Sequence, residues 1–232
     1  GIDTTLDSTG EAINVFDFTI ADGGATDASA TVISDVVINV TGSSTDAQRS
    51  QVTWRLNGTG VSNVVGVYNA GSDTVTFSGL TLTVANGTNE VYTVNAFFNT
   101  NTGISDGATY ILSIDGDTDV TVSSGTQMGA TTPITNGAGG TFDVVATTLD
   151  ITTQAAGLVS GAVMTTQPVV AAEDAFGNVD IDFVEAITAA TTAGSLSNTT
   201  VTAVAGVATF TGLTHTATVD GQGLLITFDD AV

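Results

Sequence analysis

Cysteine and lysine are both missing from the 232 residues, and proline occurs only twice. The first two absences exclude disulfide staples, thiolate metal sites and Lys–Asn isopeptide cross-links, so stability must come from core burial and strand pairing. Positive charge is nearly missing as well. Arg49 and Arg55 stand against 24 carboxylates, for a formal net charge of −22. Two cations cannot neutralise a phosphate backbone, which excludes nucleic acid as a partner, and they give no attraction to anionic lipid. No stretch approaches the roughly 20 apolar residues of a spanning helix, so no membrane insertion is expected. No signal peptide opens the sequence, and Gly1 is expected to be a processed end of a secreted, extracellular or cell-surface product.

Catalytic equipment is scarce too. The one histidine, His215, lies in a threonine-rich run (residues 211–219, TGLTHTATV) with no serine in a nucleophile-elbow context. It reads as a solvated strand or loop residue. A carboxylate pair could serve a glycosidase, but such sites sit among aromatic sugar platforms, and only 6% of this chain is aromatic. The chain is expected not to be an enzyme and to require no cofactor.

What remains is small and polar: 44 Thr, 16 Ser, 13 Asn and 27 Gly. Charged residues make up only 11% and mean hydropathy is +0.34, so this is no acidic disordered tail. Threonine and valine favour strands, while glycine, asparagine and aspartate favour turns. Residues 12–20 (AINVFDFTI) put Phe16, Phe18 and Ile20 on one face, with Asp17 and Thr19 opposite. Residues 91–98 (VYTVNAFF) alternate likewise, with Tyr92, Val94, Ala96 and Phe98 together. Val52, Trp54 and Leu56 share a face, which makes Trp54 a core residue rather than a sugar platform. A single strand is expected over 62–68. Strands recurring every 8–12 residues or so predict a sandwich or barrel. Residues 123–140 lose the alternation and read as a loop or hinge, and the texture changes after Thr147.

The second half carries more specific motifs. Residues 166–178 (TTQPVVAAEDAFGN) lead to 200–213 (TVTAVAGVATFTGL). The order resembles the Ig-like repeats of very large bacterial surface and adhesin proteins of the Bacteroidetes type, in which a QP-led strand ends in a D-A-x-G-N turn and an x-G-V-A-T-F hairpin follows. The first half is similar to another β-sandwich module of such proteins. The residues agree with a hairpin: a two-residue turn at Ala205–Gly206 would pair Val204 with Val207 and Thr202 with Thr209. The resemblance implies an all-β chain with two tandem Ig-like β-sandwich domains, over 11–147 and 148–232.

Such repeats have one further strand after the segment holding Leu224, Ile226 and Phe228. Here four residues remain, so the second domain is expected to lack its last strand and to present those three residues along an open acceptor groove. Residues 1–10 (GIDTTLDSTG) place Ile2, Thr4, Leu6 and Ser8 on one side of an extended segment. Read together, the arm of one subunit would complete the groove of an identical subunit. That describes an extracellular filament, a pilus-like fibre built head to tail by donor-strand complementation. The alternative is an arm paired with its own domain, in a stalk or glycan-binding fragment of a large surface adhesin.

Lesser signals concern calcium and sugar. Asp115, Asp117 and Asp119 (DGDTD) occupy alternate positions that can gather calcium, although the glutamate of an EF-hand is lacking and an acidic turn is the plainer reading. Glu173 with Asp174, and Asp180 with Asp182, are weaker calcium candidates. Asn39, Asn57, Asn86 and Asn198 head Asn-x-Ser/Thr sequons. This composition produces about three by chance, so they say little about glycosylation.

Overall fold

The computed structural model describes residues 1–24, 28–123 and 127–230. The chain is all-β, and among the described residues the only helices are two four-residue turns. It divides into two compact units, Gly1–Asp143 and Val144–Val232. The division falls slightly ahead of the textural change at Thr147. The reason is local: the Ala146 N–H donates to Asp180 and the Thr147 N–H to the Glu173 carbonyl, both within the second unit.

Unit 1 contains β1 (Ile2–Asp3), β2 (Ile13–Ala21), β3 (Thr31–Thr41), α1 (Asp46–Arg49), β4 (Val52–Gly58), β5 (Val61–Val65) and β6 (Val67–Asn69). It continues with β7 (Thr74–Phe77), β8 (Leu82–Val84), β9 (Asn89–Phe98), β10 (Thr109–Ile114), α2 (Gly116–Asp119), β11 (Val120–Val122), β12 (Ile134–Thr135) and β13 (Gly140–Asp143). One sheet runs β1-β13-β10-β3-β7-β6, with β8 and β11 also on β3 and β12 on β10; the other runs β2-β9-β4-β5. Period-two alternation makes one face of the longer strands β2, β3, β4, β9 and β10 apolar, and the apolar faces of the two sheets meet in a sandwich-like core. Trp54 of β4 meets Tyr110 of β10 edge-on at 5.9 Å, and Tyr110 stacks on Phe142 of β13 at 5.4 Å. Burial pushes the Tyr110 phenol up to about 12.

The strand expected over 62–68 is broken at Gly66, where the chain leaves one sheet for the other. A Cβ there would stand 2.5 Å from Val75 Cγ1 and 2.7 Å from Phe77 Cε1, so only glycine lets the crossover lie this close to the core. Nearby, Thr45 and Gln48 form a capping box that starts α1. This helix presents Arg49, a buried cation. Its guanidinium donates to Ser44 Oγ, to the carbonyls of Val40 and Gly42, and to Asp73 at 2.7 Å. Residues 127–140 include β12 and lead into β13, so they belong to unit 1 and do not form a hinge between the units. Residues 124–126 of that expected loop lie outside the described residues.

Unit 2 contains β14 (Thr148–Thr153), β15 (Val169–Glu173), β16 (Ala186–Thr191), β17 (Ser195–Ser197), β18 (Thr200–Thr202), β19 (Val207–Thr209), β20 (Thr214–Thr216) and β21 (Ile226–Asp230). Its sheets are β14-β15-β19, β18-β16-β21 and the pair β17-β20. Ala205 and Gly206 both have positive φ, 49° and 78°, and Val204 exchanges both backbone hydrogen bonds with Val207. That is the two-residue turn expected from the sequence. The pairing stops there. Thr202 lies opposite Ala186 and Thr209 opposite Val169, so the strands flanking the turn diverge into different sheets.

Candidate strand-accepting edge

β21 is hydrogen-bonded on one side only among the described residues, to β16. Its ladder polarity follows from two bonds. The Thr192 N–H donates to the Leu225 carbonyl, and the Ala189 N–H turns away to the Thr199 carbonyl. Antiparallel pairs alternate, so Leu225, Thr227 and Asp229 bond inward to the β16 side. Ile226, Phe228 and Asp230 therefore aim their N–H and C=O groups at the open edge.

Their side chains have a second role. Ile226 and Phe228 pack on the unit 2 core, with the Phe228 ring 5.2 Å from that of Phe210, yet both remain half-buried. The neighbouring positions Ile187 on β16 and Val170 on β15 are fully buried. β19 follows β18 through the Ala205–Gly206 turn, which places those two strands on one flank of the shared core. The opposite flank is then bounded by β14 and β21. Leu149 and Ile151 of β14 are also half-buried. Leu149, Ile226 and Phe228 thus pack on the core and stand partly exposed along two sheet edges. Leu224, Ile226 and Phe228 are the residues expected along such an edge; the β14 rim was not expected, although the alternation in TLDITT was the available signal. Leu224 precedes β21 and is half-buried.

The residues expected to form a donor arm lie elsewhere. Ile2 is fully buried inside its own unit, and β1 runs parallel to β13 with Ile2 opposite Phe142 and Asp3 opposite Asp143. Thr4 is buried, its N–H donating to the Asp143 carbonyl and its own carbonyl accepting from Asn101 Nδ2. The Leu6 carbonyl accepts from the Phe98 N–H at 2.9 Å, and Ser8 Oγ donates to Glu11. The expectation of a free arm is thus corrected. An apolar residue beside an incomplete edge pairs with the nearest one available, which is in its own unit.

Most of the other candidates are engaged in local structure. Asp115 accepts from Thr131 Oγ1, and that bond holds its carboxyl below the usual range. Asp119 accepts from Asn39 Nδ2 and from the Asp115 N–H, so the DGDTD carboxylates serve a turn and do not converge on one point. Asp117 lies within α2. Asp174 is buried and caps its own turn, taking the N–H groups of Phe176 and Asn178 and the Asn178 side-chain amide. Asp180 is buried and takes the N–H groups of Ala146 and Phe183, yet a carboxylate oxygen of Asp182 lies within 4.8 Å of its own, so this pair keeps the geometry of a cation candidate.

Three of the four sequon amides are similarly engaged. Asn39 bonds to Asp119, Asn57 Nδ2 donates to Asn95, and Asn198 Nδ2 donates to the Gly212 carbonyl. Asn198 is exposed, whereas the Oδ1 of Asn86 is buried with no hydrogen-bond partner among the described residues. His215 is buried rather than solvated. β20 pairs it with Leu196, and its Nε2 lies 2.9 Å from the Ala193 carbonyl beneath Gly194. Compared with known proteins, the chain matches no family model, no curated protein and no solved structure.

Proposed function

We propose that the chain is a structural, non-catalytic stalk segment of an extracellular surface fibre, built from tandem Ig-like modules and joined to its neighbour by β-strand addition along β21. One observation carries this reading: the outer edge of β21 offers a row of backbone groups over half-buried Ile226 and Phe228. A strand laid there satisfies the backbone row and covers the apolar side chains together. Further support comes from the one imidazole, which sits inside a core bonded to a carbonyl, and from the lack of cross-linking chemistry. Calcium and surface glycans are not needed for this role.

The open edge also favours a second reading, the head-to-tail filament. With residues 1–10 as donor, Ile2 would first have to leave a fully buried site, at a cost of about 2–3 kcal/mol. Light scattering and electron microscopy of the intact chain and of Phe228→Asp separate the two. The stalk reading expects monomers from both proteins at moderate concentration. Filaments from the intact chain that vanish in Phe228→Asp would replace it with the filament. Filaments that persist in Phe228→Asp would remove β21 from either account.

A further inference from the structure

Unit 1 has an open edge of its own, and beside it lies a cleft of about 920 Å³. Among the described residues β2 pairs with no strand but β9. The Asp22 N–H donates to the Thr88 carbonyl, which fixes the polarity of the ladder. Phe18 and Ile20, two and four residues back, therefore bond inward to β9, and Asp17, Thr19 and Ala21 turn their N–H and C=O groups outward. Among the described residues nothing bonds to the backbone of Thr19 or Ala21 on that side.

Thr19 and Ala21 line the cleft. Its floor is apolar, with Phe18, Ile20, Ile114 and Val120 all buried. The far wall is the segment 127–134, which is held off the edge rather than laid against it. Thr131 ties it to Asp115, Met128 abuts Gly116, and Ile134 and Thr135 pair with β10. The DGDTD turn is thus the post that holds the wall. At the bulge just before this row, Asn136 Nδ2 donates to the Val15 carbonyl, so β2 accepts a hydrogen bond from outside its ladder there.

We infer that this cleft is a peptide-binding site, in which an extended segment of another protein adds as a strand along β2. The open row from Asp17 to Ala21 is about 14 Å long, enough for four or five residues of the guest. A volume near 920 Å³ lies within the ordinary range for a ligand site. The floor selects aliphatic side chains at alternate positions. Charge selects the rest. Asp22 lines the cleft, buried, and bonds from Thr31 and from the Gly87 and Gly24 amides keep its carboxyl below the usual range. The whole chain carries −22, so an acidic segment is repelled. The guest is therefore a neutral or basic strand. This site is independent of the β21 edge.

The test uses the full chain and amide hydrogen exchange read residue by residue. The probe is a capped hexapeptide, Thr-Val-Thr-Val-Lys-Val, with a Glu-for-Lys analogue, each at about 1 mM to detect weak binding. The lysine peptide should slow exchange at Thr19 and Ala21 about tenfold and leave Trp54 and Val94 in the sheet interior unchanged. The glutamate peptide should have less than a third of that effect. Ala130→Trp, which fills the cleft from its exposed wall, and Thr19→Pro, which deletes one outward N–H, should each abolish the protection. Absence of protection with both peptides overturns the inference. So does protection that survives Ala130→Trp, or an equal response to the two peptides.

Discussion

The last strands of the two units meet different fates. In unit 1, β13 lies between β10 and β1, and two residues of β1 suffice to bury Ile2 and Phe142 completely. In unit 2, β21 has β16 on one side and no strand on the other among the described residues, and Phe228 stays half-exposed. The cores differ in the same sense. Unit 1 fully buries Trp54, Phe77, Tyr92, Phe98 and Phe142; unit 2 fully buries one aromatic ring, Phe210, among alanines, valine, isoleucine and leucine. Burial of large rings dominates core energetics. Unit 1 is therefore built to stand alone, and unit 2 gains most from an added strand. Calorimetry or limited proteolysis should find unit 2 opening before unit 1.

The strongest way to break this contrast is to empty the aromatic core of unit 1. Phe142→Ala removes a ring packed on both Phe98 and Tyr110, and about 3–5 kcal/mol of unit 1 stability should go with it. Thermal or denaturant unfolding would then show unit 1 melting with or below unit 2. Ile2→Asp should cost about 3 kcal/mol, by losing the buried side chain and forcing β1 off β13. That variant gives unit 1 the same open-edged last strand as unit 2. It should raise hydrogen exchange at Thr4, whose N–H bonds to Asp143.

Arg49→Met ranks next, at about 2 kcal/mol. Most of that is the orphaned carbonyls of Val40 and Gly42, since Asp73 is half-exposed and water takes over its charge. Phe228→Ser in unit 2 should cost only about 1 kcal/mol, because the side chain is half-buried to begin with. A larger loss would mean that the β21 flank is more tightly closed than its exposure indicates.

Alternation made the strand faces legible: Phe16, Phe18 and Ile20 are buried in β2, and Trp54 is in the core as its spacing with Val52 and Leu56 requires. The Ala205–Gly206 turn was legible too, because two positive φ angles in succession suit few residue pairs. Partnership was not. Thr202 and Thr209 flank a tight turn and still join different sheets, and Ile2 pairs with a residue 140 positions away. A period of two says which face is buried but not which strand lies alongside. His215 was misread because a threonine-rich run looks solvated, while its burial depends on Gly194 leaving room above the ring. An open edge at residues 224–228 was an expectation drawn from resemblance alone. The β2 cleft was not, since an outward backbone row leaves no mark on side-chain pattern.

The smallest effect sharpens the comparison through pH. In unit 2, burial raises the Glu173 carboxyl above its ordinary 4.5, with Asp150 and Asp174 adding repulsion. The folded state then holds this proton more tightly than the unfolded state. Ionised Glu173 is a small burden at neutral pH, lifted as pH falls through its folded pKa toward 4.5. Asp22 and Asp115 in unit 1 are displaced the other way, held below 3.8 by hydrogen bonds from Thr31 and Thr131. Their contribution persists through that same range and is lost only as pH drops below 3.8. Mild acidification should therefore raise the unit 2 transition relative to that of unit 1. General charge repulsion eases for both units at once, so Glu173→Gln is the control: it should stabilise unit 2 slightly at neutral pH and remove its specific gain on acidification. A relative rise that is unchanged in Glu173→Gln would assign the effect to the overall negative charge instead.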